Sequence, residues 1–592
     1  MPAAIRRFLT FIGGITVLFV ILGIVLVSTA TRKKAVPQQV ILELDLEREV
    51  VEYLPDDPIA QAAGGERIVL HNLTMTLERA EWDQRVVGLV ARLGAAKVPV
   101  AMLQELRDAI IRFRQKGKFA IAFSETFGEF QNGLGAYYLA TAFDEIWMQP
   151  SGDIGLAGLY LESPFLRGVL DKLGVKPRLD QRKEYKNAMN MFTERAMTPA
   201  HREAMTKIGE SILGQIVRAM GESRKLSADE VRALIDKGPL LGAEAVTAKL
   251  VDKLGYHDEF YAAAKQRSSG AELLYLHKYA ERTEPLHKSG PRIALIYGVG
   301  GVSRGKSSVD PLSGDATLGS DTVAAGFRAA ILDPEVKAIL FRVNSPGGSY
   351  VASDVIWQEV GRARRAGKKV VVSMGAVAGS GGYFVAMAAD KIVAEPATIT
   401  GSIGVLGGKL VPAELWEKIG LSFDAVQLGK NAAFFSMNRD YSPEEWARLQ
   451  AWLDRVYDDF TSKVATGRKL DKQKVLEIAK GRIWSGEDAK GLGLVDELGG
   501  LHTALALCKQ LAGIADGQDV ELKTYPQERG PLKAIVAKLT HKDPDSSEKE
   551  GAQVRMQSDA LQSALRVVQM AKQLGLVGSQ DVLQMPAVEL GF

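Results

Sequence analysis

Two stretches of this chain, about 245 residues apart, follow one pattern, and that duplication limits the fold more than any other feature. The clearest pair closes each half: LSADEVRALIDKGPLLGAEAVTAKLVDKLGYHDEF from Leu226, and LDKQKVLEIAKGRIWSGEDAKGLGLVDELGGLHTA from Leu470. Each predicts a helix, a short turn, a second helix and a Val-Asp-x-Leu-Gly turn. Earlier in the unit, Phe113-Arg-Gln-Lys-Gly-Lys-Phe-Ala-Ile-Ala matches Ala363-Arg-Arg-Ala-Gly-Lys-Lys-Val-Val-Val. In both, a basic helix end and a glycine cap lead into an apolar strand. GAYYLATAFDEIWMQPSGDIG (Gly135 to Gly155) likewise matches GGYFVAMAADKIVAEPATITGSIG (Gly381 to Gly404), with three extra residues in the second copy.

At 592 residues the chain is too long for one core, so the repeat predicts two tandem domains. Apolar strands such as Ala338–Val343, Lys369–Ser373 and Lys391–Ala394 alternate with helical stretches, which predicts an α/β fold with largely parallel sheets. The units are placed at 38–265 and 291–510, joined by the polar, turn-rich stretch Gln266–Pro291. Residues 511–592 match neither copy. Within them, the charged segment from His541 predicts flexible chain, and Val554–Leu574 has the spacing of a helix packing face.

Ahead of the units, Phe8–Ala30 carries no charge and is long enough as a helix to cross a hydrocarbon core of about 30 Å. Ser28-Thr29-Ala30 offers a competing cleavage site, but the run exceeds a signal-peptide core of roughly 7–15 residues, so a retained anchor is expected. Arg6 and Arg7 precede it while Arg32, Lys33 and Lys34 follow, so charge bias assigns no orientation. A net charge of +3, without a basic stripe bearing aromatics, gives nucleic-acid binding no support. One cysteine and seven histidines without an HExxH or similar pair point away from a metal site, and no cofactor motif is present.

The chemistry is read from two glycine-rich turns of the second unit. After strand Lys369–Ser373 comes Met-Gly-Ala-Val-Ala-Gly-Ser380-Gly-Gly-Tyr, a serine among glycines between a strand and a helix. Taken alone, this is a turn opening a packed helix. After strand Ala338–Val343 comes Asn-Ser-Pro-Gly347-Gly348, whose unshielded amides suit an oxyanion hole. Both turns should open at the same sheet edge. A Ser-His-Asp triad fits poorly, because the histidines after Ser380 are His502 in a helix and His541 in the tail.

Lys186, in Arg-Lys-Glu-Tyr-Lys186-Asn, would in isolation be a solvated surface lysine. Aligning the halves changes this. Ser380 falls opposite Leu134, Lys186 opposite Ala432, and Ser402 opposite Asp153, while Gly94-Ala-Ala-Lys replaces the Pro-Gly-Gly turn. One site divided between two degenerate copies accounts for the pattern. A lysine at its ordinary pKa is only about 0.04% neutral at pH 7, so the base must be shifted strongly downward. Burial would do so, and Arg182 and Lys183 would help if close.

The set of an N-terminal anchor, Ser-Pro-Gly-Gly, Ser-Gly-Gly-Tyr, Thr-Gly-Ser-Ile-Gly and a Tyr-Lys in the first half resembles the long, duplicated form of the signal peptide peptidase A (protease IV) family. The resemblance implies two tandem Clp protease/crotonase-like domains after a transmembrane helix, with Ser380 as nucleophile and Lys186 as general base. It further implies Ser402 as the hydroxyl orienting the lysine, and the amides of Gly347 and Gly381 as the oxyanion hole. Gly379 departs from the alanine expected before the serine. By the same resemblance the protein is a homotetramer on the outer face of the bacterial inner membrane, hydrolysing hydrophobic peptides left from secretion. A crotonase-type acyl-CoA enzyme and a non-catalytic membrane scaffold are the alternatives.

Overall fold

The computed structural model describes residues 35–54, 67–94, 98–310, 316–526 and 583–585. The expected anchor Phe8–Ala30, the charged segment from His541 and the stripe Val554–Leu574 lie outside the described residues. Among those described, no helix is long and apolar enough to cross a membrane.

The duplication is a duplication of sheets. In the first unit six parallel strands lie in the spatial order Lys253–Leu254, Glu145–Met148, Phe119–Ser124, Val86–Leu93, Val40–Leu46 and Glu272–Tyr275. In the second, the same order runs Glu497–Leu498, Lys391–Ala394, Lys369–Gly379, Val336–Ser345, Arg292–Val299 and Glu521–Thr524. Even the register shift at the start of the fifth strand recurs, at Val40/Ile41 and at Arg292/Ile293. The inner strands are buried on both faces, which explains their unbroken apolar runs. Two edge strands fall outside the expected bounds: Glu272–Tyr275 lies in the stretch assigned to the join, and Glu521–Thr524 lies beyond residue 510. Both are short and flanked by turns, so periodicity alone did not separate them from loop.

Each unit also has one 26-residue helix, Pro199–Arg224 and Pro443–Arg468, entered through a capping hydroxyl (Thr198, Ser442) with proline in the first turn. The first of these crosses to the second unit, where Ser211 meets Ser485 and Gln215 donates to the Pro396 carbonyl.

One difference between the sheets positions the site. The strand Phe119–Ser124 has six residues, whereas its counterpart Lys369–Gly379 has eleven. The extension pairs through Val377–Gly379 with Ile399–Gly401, which is itself paired with Ile483–Ser485. It carries the chain past the sheet edge at which the first copy has already turned.

The units share a buried ionic junction. Arg342 of the second unit pairs with Glu52 (2.6 Å) and Glu105 (2.8 Å) of the first, and the other Glu105 oxygen accepts from the Leu501 amide. All three side chains are at least nine-tenths buried. Removing one partner strands a buried charge, so Glu105→Ala is expected to lower unfolding stability by about 3–5 kcal/mol. Chemical denaturation of the two proteins checks this.

Candidate active site

Ser380 stands between the extended strand and the helix Gly381–Ala386, with φ 54° and ψ −114°. A non-glycine residue at positive φ is strained, and such strain is held only where the surroundings fix it. Here the Ser380 amide donates to the Gly401 carbonyl at 2.8 Å, tying the turn to the neighbouring strand. That strand pairs Gly379 with Gly401, so the two chains leave the sheet side by side, one into Ser380 and the other into Ser402. Ser402 also has positive φ, and its amide donates to the Arg482 carbonyl.

The glycines following Ser380 are required by packing. A Cβ at Gly382 would lie 2.4 Å from the Ser345 carbonyl oxygen. Gly347 has φ 103°, and a Cβ on it would come within 2.7 Å of the Gly381 nitrogen. The two glycine turns therefore meet, as their positions after adjacent strands predict. Gly381 opens its helix, where the first N–H groups have no intrahelical acceptor. The Gly347 amide donates to Ser345 Oγ at 3.2 Å, a bond that a reacting carbonyl oxygen would have to replace.

Lys186 reaches this place on an arm from the first unit. Residues Lys176–Arg182 pair antiparallel with Val405–Val411 of the second unit over all seven positions. Lys176 and Arg178 bind Asp440, and Arg182 binds Asp180 and Asp454. The Tyr185 amide then donates to the Lys480 carbonyl, and Gly481 lies against the Lys186 backbone so closely that a Cβ there would be 2.5 Å from Lys186 Cβ. Lys186 ends with no exposed surface. Its Nζ lies 2.8 Å from Ser380 Oγ, 2.9 Å from Ser402 Oγ and 3.1 Å from the Ser402 carbonyl oxygen. All three groups belong to the same chain.

Burial pushes the Lys186 amine well below the ordinary lysine range. Burial is also the whole cause. The expected help from Arg182 and Lys183 is corrected, since neither contributes to the shift and Arg182 is committed to its carboxylates. The partner of the Ser380 hydroxyl is thus a buried amine whose pKa desolvation pushes down, not a histidine.

Sequence reasoning missed Gly481 and Ser345. Gly481 sits in the Lys-Gly turn that both copies share, so comparing the copies marked it as repeat rather than site. In the first copy the equivalent Gly238 packs on the Leu156 carbonyl instead. It also missed that Leu583–Met585 of the tail lies against Gly347 and Gly348.

The model of peptidase family S49 matches the chain twice, over residues 115–271 and 362–515, once in each unit. The chain is 32% identical to "Protease 4" of Salmonella typhi over 487 residues, covering 80% of this chain and 76% of that protein. It is 31% identical to the chloroplastic "Serine protease SPPA" of Arabidopsis thaliana over 465 residues, covering 76% and 67%. "Protease 4" of Haemophilus influenzae is 31% identical over 485 residues, covering 78% and 76%. A family match in each of two units with corresponding sheets, and similarity along most of the length of these relatives, assign the chain to peptidase family S49, as a serine protease.

Proposed function

We propose that one catalytic site, divided between the two units, hydrolyses apolar peptides, with Ser380 as nucleophile and Lys186 as general base. The observation that carries this reading is the fully buried Lys186 amine 2.8 Å from Ser380 Oγ. A neutral amine has two N–H groups and one lone pair. When the Ser402 hydroxyl and carbonyl accept the two N–H groups, the lone pair is left for the hydrogen of Ser380. Ser402 is then the residue that orients the base.

The reaction is acyl transfer. Lys186 takes the Ser380 proton as Oγ attacks the peptide carbonyl, and the amides of Gly347 and Gly381 receive the oxyanion. The resulting ammonium returns its proton to the leaving nitrogen, the C–N bond breaks and an ester remains on Ser380. Water, deprotonated by the same amine, cleaves the ester and frees the enzyme. Desolvation lowers the amine's pKa and so favours its neutral, basic form, with no carboxylate partner needed.

The substrate class and the setting belong to the same proposal. The length of the uncharged run Phe8–Ala30 supports an anchored protease, and the resemblance to signal peptide peptidase A implies that it acts on hydrophobic segments, cleaved signal peptides among them, at the outer face of a bacterial inner membrane. The resemblance to the long signal peptide peptidase A proteins implies a homo-oligomer, with a tetramer as the expected form. The arm after Gly174 pairs with the second unit of its own chain, while the equivalent stretch after Gly420 leaves Val426 93% and Leu428 87% exposed. A second copy is the natural partner for that stretch.

Labelling with a serine-directed acylating inhibitor tests the assignment. One adduct per chain is expected on Ser380 by peptide mass mapping, and none in Ser380→Ala. An adduct on another serine, with Ser380 unmodified, would overturn it. Scaffold and acyl-CoA alternatives both require that Ser380 stay unlabelled.

A further inference from the structure

Lys186 and Ser402 are both held from a single turn of the second unit. In Lys480-Gly481-Arg482 the Lys480 carbonyl accepts the Tyr185 amide at 3.1 Å, and the Arg482 carbonyl accepts the Ser402 amide at 2.7 Å. Between them the Gly481 amide donates to the Ile403 carbonyl at 2.8 Å. Lys186 follows Tyr185 directly, so three successive residues fix the backbone beside the amine and the backbone of the hydroxyl it meets.

The side chain of Arg482 ties this turn back to the first unit. Its guanidinium carbon stands 4.9 Å from the centre of the Tyr185 ring and 4.4 Å from that of the Trp484 ring. One guanidinium nitrogen donates to Glu203 at 2.8 Å, and the Tyr185 hydroxyl donates to the other oxygen of the same carboxylate. Glu203 belongs to the long first-unit helix Pro199–Arg224. One guanidinium therefore joins the arm that carries the lysine, the turn that receives it and a helix of the unit the arm comes from. A cation over an aromatic face is attracted by the ring, and the flat, delocalised charge of arginine suits such stacking better than a compact ammonium does.

The two copies differ at this position as they do at the site. Asp236-Lys237-Gly238-Pro239-Leu240 matches Ala479-Lys480-Gly481-Arg482-Ile483. The Lys-Gly turn is kept in both, while the arginine stands only in the half that receives a lysine. Arg482 against Pro239 thus follows Ser380 against Leu134.

We infer that Arg482 is a positioning residue for the base: by clamping Tyr185 and Glu203 together beside the arm, it holds Lys186 against Ser402 and keeps water from the amine. This rests on the proposed roles of Ser380 and Lys186. Arg482 bonds neither of those side chains and acts through Tyr185 and the Ser402 backbone. Because burial alone pushes the Lys186 amine down, an arm that loosens and admits water returns it toward the ordinary lysine value. The rate then falls because less of the base is neutral, and raising the pH restores it.

The test is the pH profile of Ser380 acylation by a serine-directed acylating inhibitor, measured on the full chain as wild type, Arg482→Met and Tyr185→Leu, with Tm beside each. In Arg482→Met the midpoint is expected to move up by about one pH unit, so that below both midpoints the rate falls about tenfold and above them it approaches wild type. Tyr185→Leu removes the ring from the other side of the clamp and is expected to shift the midpoint in the same direction. With an apolar peptide as substrate, the loss is expected in kcat with KM unchanged. An unshifted midpoint in Arg482→Met, or in Tyr185→Leu should the first variant not fold, would overturn the inference. So would a rate loss of the same size at every pH, or one confined to KM. Absence of labelling at Ser380 in the wild type would remove the catalytic assignment itself, a result distinct from a labelled wild type whose variants keep its midpoint.

Discussion

Replacing Ser380 with alanine is expected to reduce kcat/KM for an apolar peptide about ten-thousand-fold or more, with no loss of thermal stability. The size follows from what the hydroxyl does. Without it no ester forms, and only the oxyanion amides and substrate binding are left to assist direct attack by water. Stability is expected to hold because the strained turn is fixed by backbone contacts, the Ser380 amide to Gly401 and the Phe384 amide to the Ser380 carbonyl, which alanine retains. Measuring Tm beside the rate separates this result from unfolding.

Loss of Lys186 should be nearly as costly, and the two losses should not add. In Lys186→Met the methionine fills much the same space but leaves Ser380 without a base, so kcat/KM is expected to fall about a thousand-fold or more, with the double variant no worse than Ser380→Ala alone. The same substitution alters how stability depends on pH. In the native protein the amine is neutral well below the ordinary lysine pKa of 10.5 because it is buried, whereas in the unfolded chain it is protonated up to that value. Between the two pKa values the unfolded state therefore binds more protons, and stability rises with pH across that window. Denaturation at a series of pH values should show this rise in the wild type and its absence in Lys186→Met. An identical slope in both would mean that the lysine is not held neutral.

The duplication and the parallel sheets were legible in the sequence, and so were Ser380, Lys186 and Ser402 as the candidates that the fold brings together, because a degenerate repeat exposes what each copy has kept. Leu134 opposite Ser380 and Ala432 opposite Lys186 are informative because the surrounding residues still match. What brings the lysine to the serine was not legible. The arm Lys176–Arg182 is half charged and has the composition of solvent-exposed chain, and its partners Asp440 and Asp454 lie more than 250 residues away. No local periodicity encodes such a pairing. The cause of the lysine's shift was also only half anticipated. Neighbouring cations looked available in the sequence, but the fold turns Arg182 outward to carboxylates and leaves burial to act alone. The tail shows the same limit: Leu583-Gln-Met585 has nothing to mark it as a strand until Gly347 and Gly348 are seen to offer it an edge.

The central claim is that a single site, split between the two copies, runs on an amine kept neutral by burial. It is tested most directly by the pH dependence of Ser380 acylation, followed under single-turnover conditions with a serine-directed acylating inhibitor. A rate that rises through one ionisation with a midpoint well below 10.5, and that loses this ionisation in Lys186→Met, is the predicted result. A midpoint at the ordinary lysine value, or the same profile after Lys186 is replaced, would contradict it.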